Sequence, residues 1–221
     1  MRPISWRSSA DFRVKVLITV FGNVELLAVA GGFDFCSSMR RLCSDMCARH
    51  TALRHIRMDD VAVTYAQTRS VAEWGIQARL TPLRFQGGAT TERRSGRIWK
   101  VQPVYWNGRE MLYVLTFYLP RFLNLCFDEK LVTVFHELYH ISPRFDGDIR
   151  RFGGACYIHT GSQKSYDRHM AVLAAEYLGT RPSEELLGFL RLSFSELQRK
   201  CGGVVGLKIA VPRLLAVREV A

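Results

Sequence analysis

The chain has 221 residues, 48% of them hydrophobic, and Lys plus Arg exceed Asp plus Glu by 31 to 20, for a net charge of +11. This length and composition exclude a disordered chain and predict one globular domain, or one domain with a small appendage. We expect residues 216–221 to be a tail. The positive charge is typical of proteins that bind nucleic acid, although basic residues spread along the whole chain are more often a solvated surface. The six cysteines form no CxxC pair. We expect reduced thiols and a cytoplasmic protein.

Residues 14–33 (VKVLITVFGNVELLAVAGGF) are apolar and follow several arginines, as in a signal sequence or a membrane anchor. Asn23 and Glu25 interrupt this segment, and an ionised carboxylate at the centre of a bilayer helix is costly. The apolar runs on either side are too short to span a bilayer. We therefore expect no membrane span. Residues 1–33 are predicted to be an N-terminal extension or strand, with a signal peptide as the alternative.

The first half of the domain is predicted to be one helix followed by a meander of strands. Residues 33–56 carry apolar side chains at helical spacing, namely Phe35, Met39, Leu42, Met46 and Leu53. Alternating Val61, Val63 and Tyr65 then predict a strand, and residues 80–88 predict a second one. Residues 90–97 (TTERRSGR) are expected to form a polar, basic loop. Asn107-Gly108 favours a tight type I′ turn between two further strands, because both positions need positive φ.

The next helix is predicted to begin at Asp128, whose side chain can cap free backbone amides. It is expected to end at Ser142-Pro143, because the residue before proline is disfavoured in a helix. Its predicted buried stripe consists of Leu131, Val134 or Phe135, Leu138 and Ile141.

The sequence HELYH (136–140) lies on this helix. His136 and His140 are one helical turn apart, so both imidazoles project from the same face and can bind one divalent ion. Zinc lowers the pKa of a bound water toward about 7, and a carboxylate such as Glu137 can take its proton. The pattern therefore predicts a Zn²⁺ site for hydrolysis, with Glu137 as general base. The alternative is two histidines that only hydrogen-bond within the core.

A zinc site of this kind needs a third protein ligand, which we expect downstream of the helix. His159, across a glycine-bearing loop, is the first choice. Asp146 lies where the metzincin pattern places its third ligand, but Pro143 replaces the glycine that makes that turn. Glu176 and His169, on a later predicted helix, stay open as alternatives.

Several other side chains are candidates for supporting roles. Residues 146–151 are predicted to form a salt-bridged turn. The alternative is that Asp148, or else Asp146, orients a ligand histidine, as metal-bound imidazoles usually require. Three residues are candidates for stabilising the oxyanion of a reacting carbonyl, although aromatic residues near an apolar helix are more often core: Tyr157, Tyr166 and His169.

The run HELYHISPRFDGDIRRF (136–152), then His159 and SQKSYDRHM (162–170), resembles the phage metallopeptidase family. These zincin-like domains of phages and bacteria are distantly similar to SprT-type proteases. The resemblance covers roughly residues 34–215 and is strongest from Phe135 to Met170. It implies a zinc-dependent peptidase fold, with His136 and His140 as ligands and Glu137 as the catalytic carboxylate.

We therefore expect an α+β zincin-like domain in which a β-meander packs against the HExxH helix. Residues 182–203 are predicted to form C-terminal helices with a capping box at Ser193 and Glu196, and residues 204–217 a strand or extended tail. The strand at 111–119 is expected to be a sheet edge that binds an extended peptide substrate.

The predicted function is hydrolysis of peptide bonds. One alternative is a binding protein with a structural zinc site and a basic surface for nucleic acid. The other is a SprT-like protease that acts on DNA-bound proteins, for which the basic loop at Arg93, Arg94 and Arg97 would be suited.

Overall fold

The computed structural model describes residues 16–21, 24–29, 31–68, 75–151 and 163–217. Within these ranges the chain combines helices with several small sheets, which confirms the predicted α+β class. The α-helices are α1 (Phe35–Arg49), α2 (Phe127–Tyr139), α3 (Gln163–Gly179), α4 (Glu184–Leu187) and α5 (Phe194–Cys201). The strands are β1 (Val16–Phe21), β2 (Val24–Val29), β3 (Gly32–Asp34), β4 (Val61–Gln67), β5 (Ala78–Pro82), β6 (Thr91–Arg94), β7 (Arg97–Val101), β8 (Tyr105–Trp106), β9 (Arg109–Glu110), β10 (Tyr113–Leu119), β11 (Val204–Val205) and β12 (Leu214–Val217).

A three-stranded sheet in the order β4-β10-β5 underlies the candidate site. β10 lies in the middle, parallel to β4 and antiparallel to β5, so its backbone is paired on both sides. The prediction that residues 111–119 offer a free edge to a peptide is therefore wrong. The apolar run YVLTFYL accounts for this, because its alternate side chains enter two different cores on opposite faces of the sheet. The edge nearest α2 is β5.

One face of this sheet is covered by α1, α2 and α3, which share the main hydrophobic core. α1 begins after Asp34, whose carboxylate accepts a hydrogen bond from the Ser37 amide at 3.0 Å. The predicted apolar stripe of this helix is buried. The helix ends at Arg49 rather than at residue 56, because the His50 side chain accepts a hydrogen bond from the Ala52 amide and starts a separate 3₁₀ turn.

Two hairpins extend from the sheet region. The turn at Asn107-Gly108 joins β8 to β9 with φ of 49° and 76°, as predicted. Residues 90–97, predicted to be a loop, instead form much of a second hairpin, β6 and β7, which turns at Ser95 and Gly96 with φ of 47° and 77°. β12 pairs with the outer side of β7. The polar sequence of this hairpin fits its exposed position, which is why composition alone suggested a loop.

The two ends of the chain also add strands to the fold. β1 and β2 form an antiparallel pair that continues through β3 to β11, so residues 16–21 and 24–29 are strands, one of the expected alternatives for this segment. Near the other end, Ser193 and Glu196 form the predicted capping box of α5. No helix in the described part of the chain is long and apolar enough to cross a membrane.

Helix α2 carries the HELYH sequence. It begins at Phe127, one residue before the predicted start, because the Glu129 carboxylate accepts a hydrogen bond from the Cys126 amide at 3.0 Å. The predicted stripe is fully buried, with both Val134 and Phe135 in it. The helix ends at Tyr139, shortly before the predicted break at Ser142-Pro143.

A buried lysine joins α2 to the C-terminal helices. Lys130 is 2% exposed, and its ammonium donates hydrogen bonds to the carbonyls of Leu190 at 2.8 Å and Leu192 at 2.9 Å. Burial disfavours the charged form and lowers the pKa of Lys130 to about 8, from an ordinary value of 10.5. Lys130 therefore links the segment between α4 and α5 to α2, the helix that carries the histidines.

Lys130→Met is expected to change how stability depends on pH. Because the folded pKa lies below the unfolded one, the unfolded chain binds more protons between about pH 8 and 10, and the free energy of unfolding of the parent rises with pH. Methionine has no such proton. Urea unfolding should show the parent gaining about 1 kcal/mol relative to the variant between pH 7 and pH 9.

The exposed Lys200 provides a matched control. Lys200→Met should leave the pH dependence of the parent unchanged. If the free energy of unfolding of Lys130→Met changes between pH 7 and pH 9 as that of the parent does, the pKa of Lys130 is not lowered in the folded protein.

Candidate metal centre

His136 and His140 lie side by side at the C-terminal end of α2. Their ring centroids are 4.6 Å apart and the ring planes are inclined at 79°. His140 is buried, whereas 20% of the His136 side chain is exposed. The spacing of one helical turn thus brings both imidazoles to the same face of the helix, as the sequence predicts.

Glu137 faces the edge of the central sheet. Its side chain is buried, and Oε2 accepts a hydrogen bond from the Leu80 amide at 2.6 Å. Burial raises the pKa of Glu137 to about 7, although the Leu80 hydrogen bond and the charge of Arg79 partly oppose this rise. The carboxylate can therefore gain and lose a proton near neutral pH.

A cleft of about 420 Å³ separates α2 from the chain that leads into β5. One wall consists of residues 75–78, and the other of Val132, Thr133, His136 and Glu137 from α2, with Asp167 from α3 at its side. The more exposed imidazole and the buried carboxylate thus line the same open space. A ligand in this space would also lie along the β5 edge.

Helix α3 packs against α2 and places Tyr166 against both histidines. The Tyr166 ring meets the His136 ring edge-on at 4.9 Å and stacks on the His140 ring at 5.7 Å and 15°. Burial raises the pKa of its hydroxyl, so Tyr166 keeps its proton at neutral pH. Of the predicted oxyanion candidates, Tyr166 is thus beside the histidine pair, whereas the exposed His169 packs edge-on against Tyr139 at 5.4 Å.

Asp167 was not among the candidates from the sequence. Its Oδ1 lies 3.8 Å from His136 Nδ1, and 48% of its side chain is exposed. Its one sequence signal is its position directly after Tyr166. That signal does not show which face of α3 meets α2, so the proximity emerges only from the packing of the two helices.

The two aspartates that follow α2 shape the turn after the helix. Asp148 would have a raised pKa from burial alone, but hydrogen bonds from Arg151 and from the amides of Gly87 and Ile149 lower it. Asp146 pairs with Arg144 at 3.1 Å and accepts a hydrogen bond from the Asp148 amide at 3.2 Å. These contacts correspond to the salt-bridged turn predicted for this segment.

Glu176 contacts a different histidine. Its Oε2 lies 3.1 Å from Nε2 of the buried His50, near the C-terminal end of α3. His159 and Tyr157 lie outside the described residues. Within the described ranges, no three His, Cys, Asp or Glu side chains are grouped so as to hold a metal ion. His136 and His140 are therefore two candidate ligands, and both the zinc ion and its third ligand are still predictions.

The donor atoms nevertheless fit zinc, because two imidazoles lie side by side, and one of them lines an open cleft together with a buried carboxylate. Comparisons of the chain with models of protein families, with curated proteins and with solved structures gave no match. Function is therefore inferred from the residues of the cleft.

Glu137→Gln is expected to stabilise the metal-free protein at and above neutral pH. Because the folded pKa of about 7 exceeds the ordinary value of 4.5, ionisation weakens the parent fold as pH rises through this window. Glutamine stays neutral, and its carbonyl can still accept the Leu80 hydrogen bond. Urea unfolding with chelator present should measure this effect. The free energy of unfolding of Glu137→Gln, relative to that of the parent, should increase by about 1 to 3 kcal/mol between pH 5 and pH 8.

Asp128→Asn removes an exposed carboxylate from the same helix and is the control. The difference in unfolding free energy between Asp128→Asn and the parent should not increase between pH 5 and pH 8. A constant difference between parent and Glu137→Gln from pH 5 to pH 8 would mean that Glu137 titrates normally.

Proposed function

We propose that this protein is a zinc-dependent peptidase with a zincin-like site. The observation that carries the proposal is that His136, Glu137 and the chain leading into β5 border one open cleft, with His140 beside His136. A purely structural histidine pair would not require a buried carboxylate and an open sheet edge in the same place.

His136 and His140 would hold the zinc ion together with His159, which remains the proposed third ligand. When bound, zinc would supply a Lewis acid that lowers the pKa of water and polarises a substrate carbonyl. Asp146 and Glu176 are weaker choices for the third ligand, because Arg144 and His50 already engage them.

Glu137 would act as the general base. With a pKa of about 7, its carboxylate can accept a proton from water at neutral pH and later return it to the leaving amine. The hydrogen bond from the Leu80 amide fixes the direction of the carboxylate. Because the Glu137 side chain is buried, water does not compete for this hydrogen bond.

β5 would bind the substrate backbone. The Gln77 carbonyl accepts a hydrogen bond from the Tyr118 amide, and the Leu83 amide donates to the Leu112 carbonyl. By the alternation of an antiparallel pair, the odd-numbered residues of β5 hydrogen-bond to β10, so the backbone groups of Ala78 and the Leu80 carbonyl face away from it. The Leu80 amide points to the same side and already donates to Glu137, which leaves the edge before Leu80 for a substrate. An extended peptide could pair with this edge, which takes the role that the sequence suggested for residues 111–119.

Metal content and peptide cleavage test the proposal together. The parent protein should contain about one zinc per chain, and His136→Ala and His159→Ala should lose it. Glu137→Gln should keep its zinc and lose cleavage by about 100-fold or more. Elemental analysis measures the first result, and a fluorogenic peptide library in the presence and absence of chelator measures the second.

Asp128→Asn is the control, because it removes an exposed carboxylate from the helix that carries both histidines and should keep both zinc and activity. A parent protein without zinc, or a fully active Glu137→Gln variant, would overturn the proposal. Loss of zinc from His136→Ala but not from His159→Ala would leave the peptidase in place and move the third ligand elsewhere.

Nucleic-acid binding is a second candidate, and the β6–β7 hairpin favours it. Arg93 and Arg97 are exposed on this hairpin, and so is Lys100. Arg93 pairs with Ile98, and Thr91 with Lys100, so the side chains of Arg93 and Lys100 lie on the same face of the hairpin. This face would present adjacent cations to a phosphate backbone.

A double variant, Arg93→Ala with Lys100→Ala, should weaken the binding of a labelled oligonucleotide measured by fluorescence anisotropy. It should also make the affinity less dependent on salt, because each lost phosphate contact lowers the slope of log affinity against log salt by about 1. Lys200→Ala, on α5, is the control. Equal affinities and slopes for parent and double variant would exclude the hairpin as the binding surface.

A further inference from the structure

The carboxylate of Asp167 faces one particular nitrogen of the proposed metal ligand His136. Its Oδ1 is 3.8 Å from Nδ1 of the imidazole. Asp167 reaches this position from α3, and it lines the same cleft as His136 and Glu137.

An imidazole that binds a metal uses one ring nitrogen and usually donates the proton of the other to a carboxylate, a carbonyl or water. A carboxylate beside Nδ1 favours the proton there and leaves Nε2 with its lone pair. The rings of His140 and Tyr166 contact the same imidazole at 4.6 Å and 4.9 Å, which limits its rotation.

We propose that Asp167 is the positioning residue that holds the Nδ1 proton of His136 and so assigns Nε2 to the metal. This inference rests on the proposed zinc site. The distance of 3.8 Å exceeds a direct hydrogen bond, and such contacts are often long in sites without bound ligand. The carboxylate is half-exposed, so it has room to move onto Nδ1, as a bound metal that held the ring would require.

The other acid on α3 shows the contrasting case. Glu176 lies 3.1 Å from His50 Nε2, while His50 Nδ1 accepts a hydrogen bond from the Ala52 amide. Both nitrogens of His50 are therefore engaged by the protein, and its ring packs edge-on against Phe135 at 5.3 Å. This pair is structural, so it provides a matched control on the same helix.

Two substitutions separate the roles of these carboxylates. Asp167→Ala should weaken zinc binding about 10- to 100-fold in competition with a chromophoric chelator, and it should leave the melting temperature of the metal-free protein unchanged. Asp167→Asn, which keeps an acceptor without the charge, should fall between Asp167→Ala and the parent. Glu176→Ala should do the opposite, lowering the melting temperature while zinc affinity stays within about twofold, because it leaves buried His50 Nε2 without its partner.

The tautomer of His136 gives a direct readout. In the zinc-loaded parent labelled with ¹⁵N-histidine, long-range proton–nitrogen spectra should show a proton on Nδ1 and the metal on Nε2, with His136→Ala identifying the signals. Metal on Nδ1 would overturn the inference.

Unchanged zinc affinity in Asp167→Ala would also overturn it, as would a melting temperature that falls as in Glu176→Ala. In each of these cases His136→Ala would still lose zinc, so the proposed peptidase site would stand. A parent without zinc would end both proposals.

Discussion

The hydrogen bond from the Leu80 amide to the Glu137 carboxylate joins the two walls of the cleft. A buried carboxylate needs a donor, and an edge strand has outward amides without strand partners, so each satisfies the requirement of the other. The same contact fixes the distance between α2 and β5 and the direction of the carboxylate. Burial raises the pKa of Glu137 and the Leu80 hydrogen bond partly opposes this rise, so the packing of α2 against β5 affects both the geometry of the cleft and the acidity of this carboxyl group.

Helix α2 can hold this position because it is fixed along its length. Its apolar stripe enters the main core, and Lys130 binds two carbonyls of the C-terminal segment. The histidines occupy a different face, against α3. A helix fixed on one side can present polar groups at exact positions on the other, since the core sets its rotation and the functional side chains need not contribute to it.

The part of this arrangement that is local in sequence could be predicted. The spacing of His136 and His140 and the stripe of α2 follow from helical periodicity, and the turn at Asn107-Gly108 follows from its φ requirement. Contacts between distant segments could not be predicted. Nothing in the letters around Leu80 or Asp167 shows that these residues meet α2, and the apolar run at β10 does not by itself distinguish a central strand from an edge. The prediction of a loop at residues 90–97 was wrong, because a solvent-exposed hairpin and a polar loop have the same kind of composition.

Helix α3 links scaffold and site through two acid–histidine pairs of different kinds. At its C-terminal end the pair of Glu176 with His50 is closed, since the ring is buried and both of its nitrogens have protein partners. At its N-terminal end Asp167 faces a histidine that borders an open cleft. The chemical groups are the same type in both pairs, so the pairs differ in their surroundings. The His50 ring is enclosed by protein and its pair with Glu176 belongs to the fold, whereas His136 lines a cleft, where an imidazole can also meet a ligand.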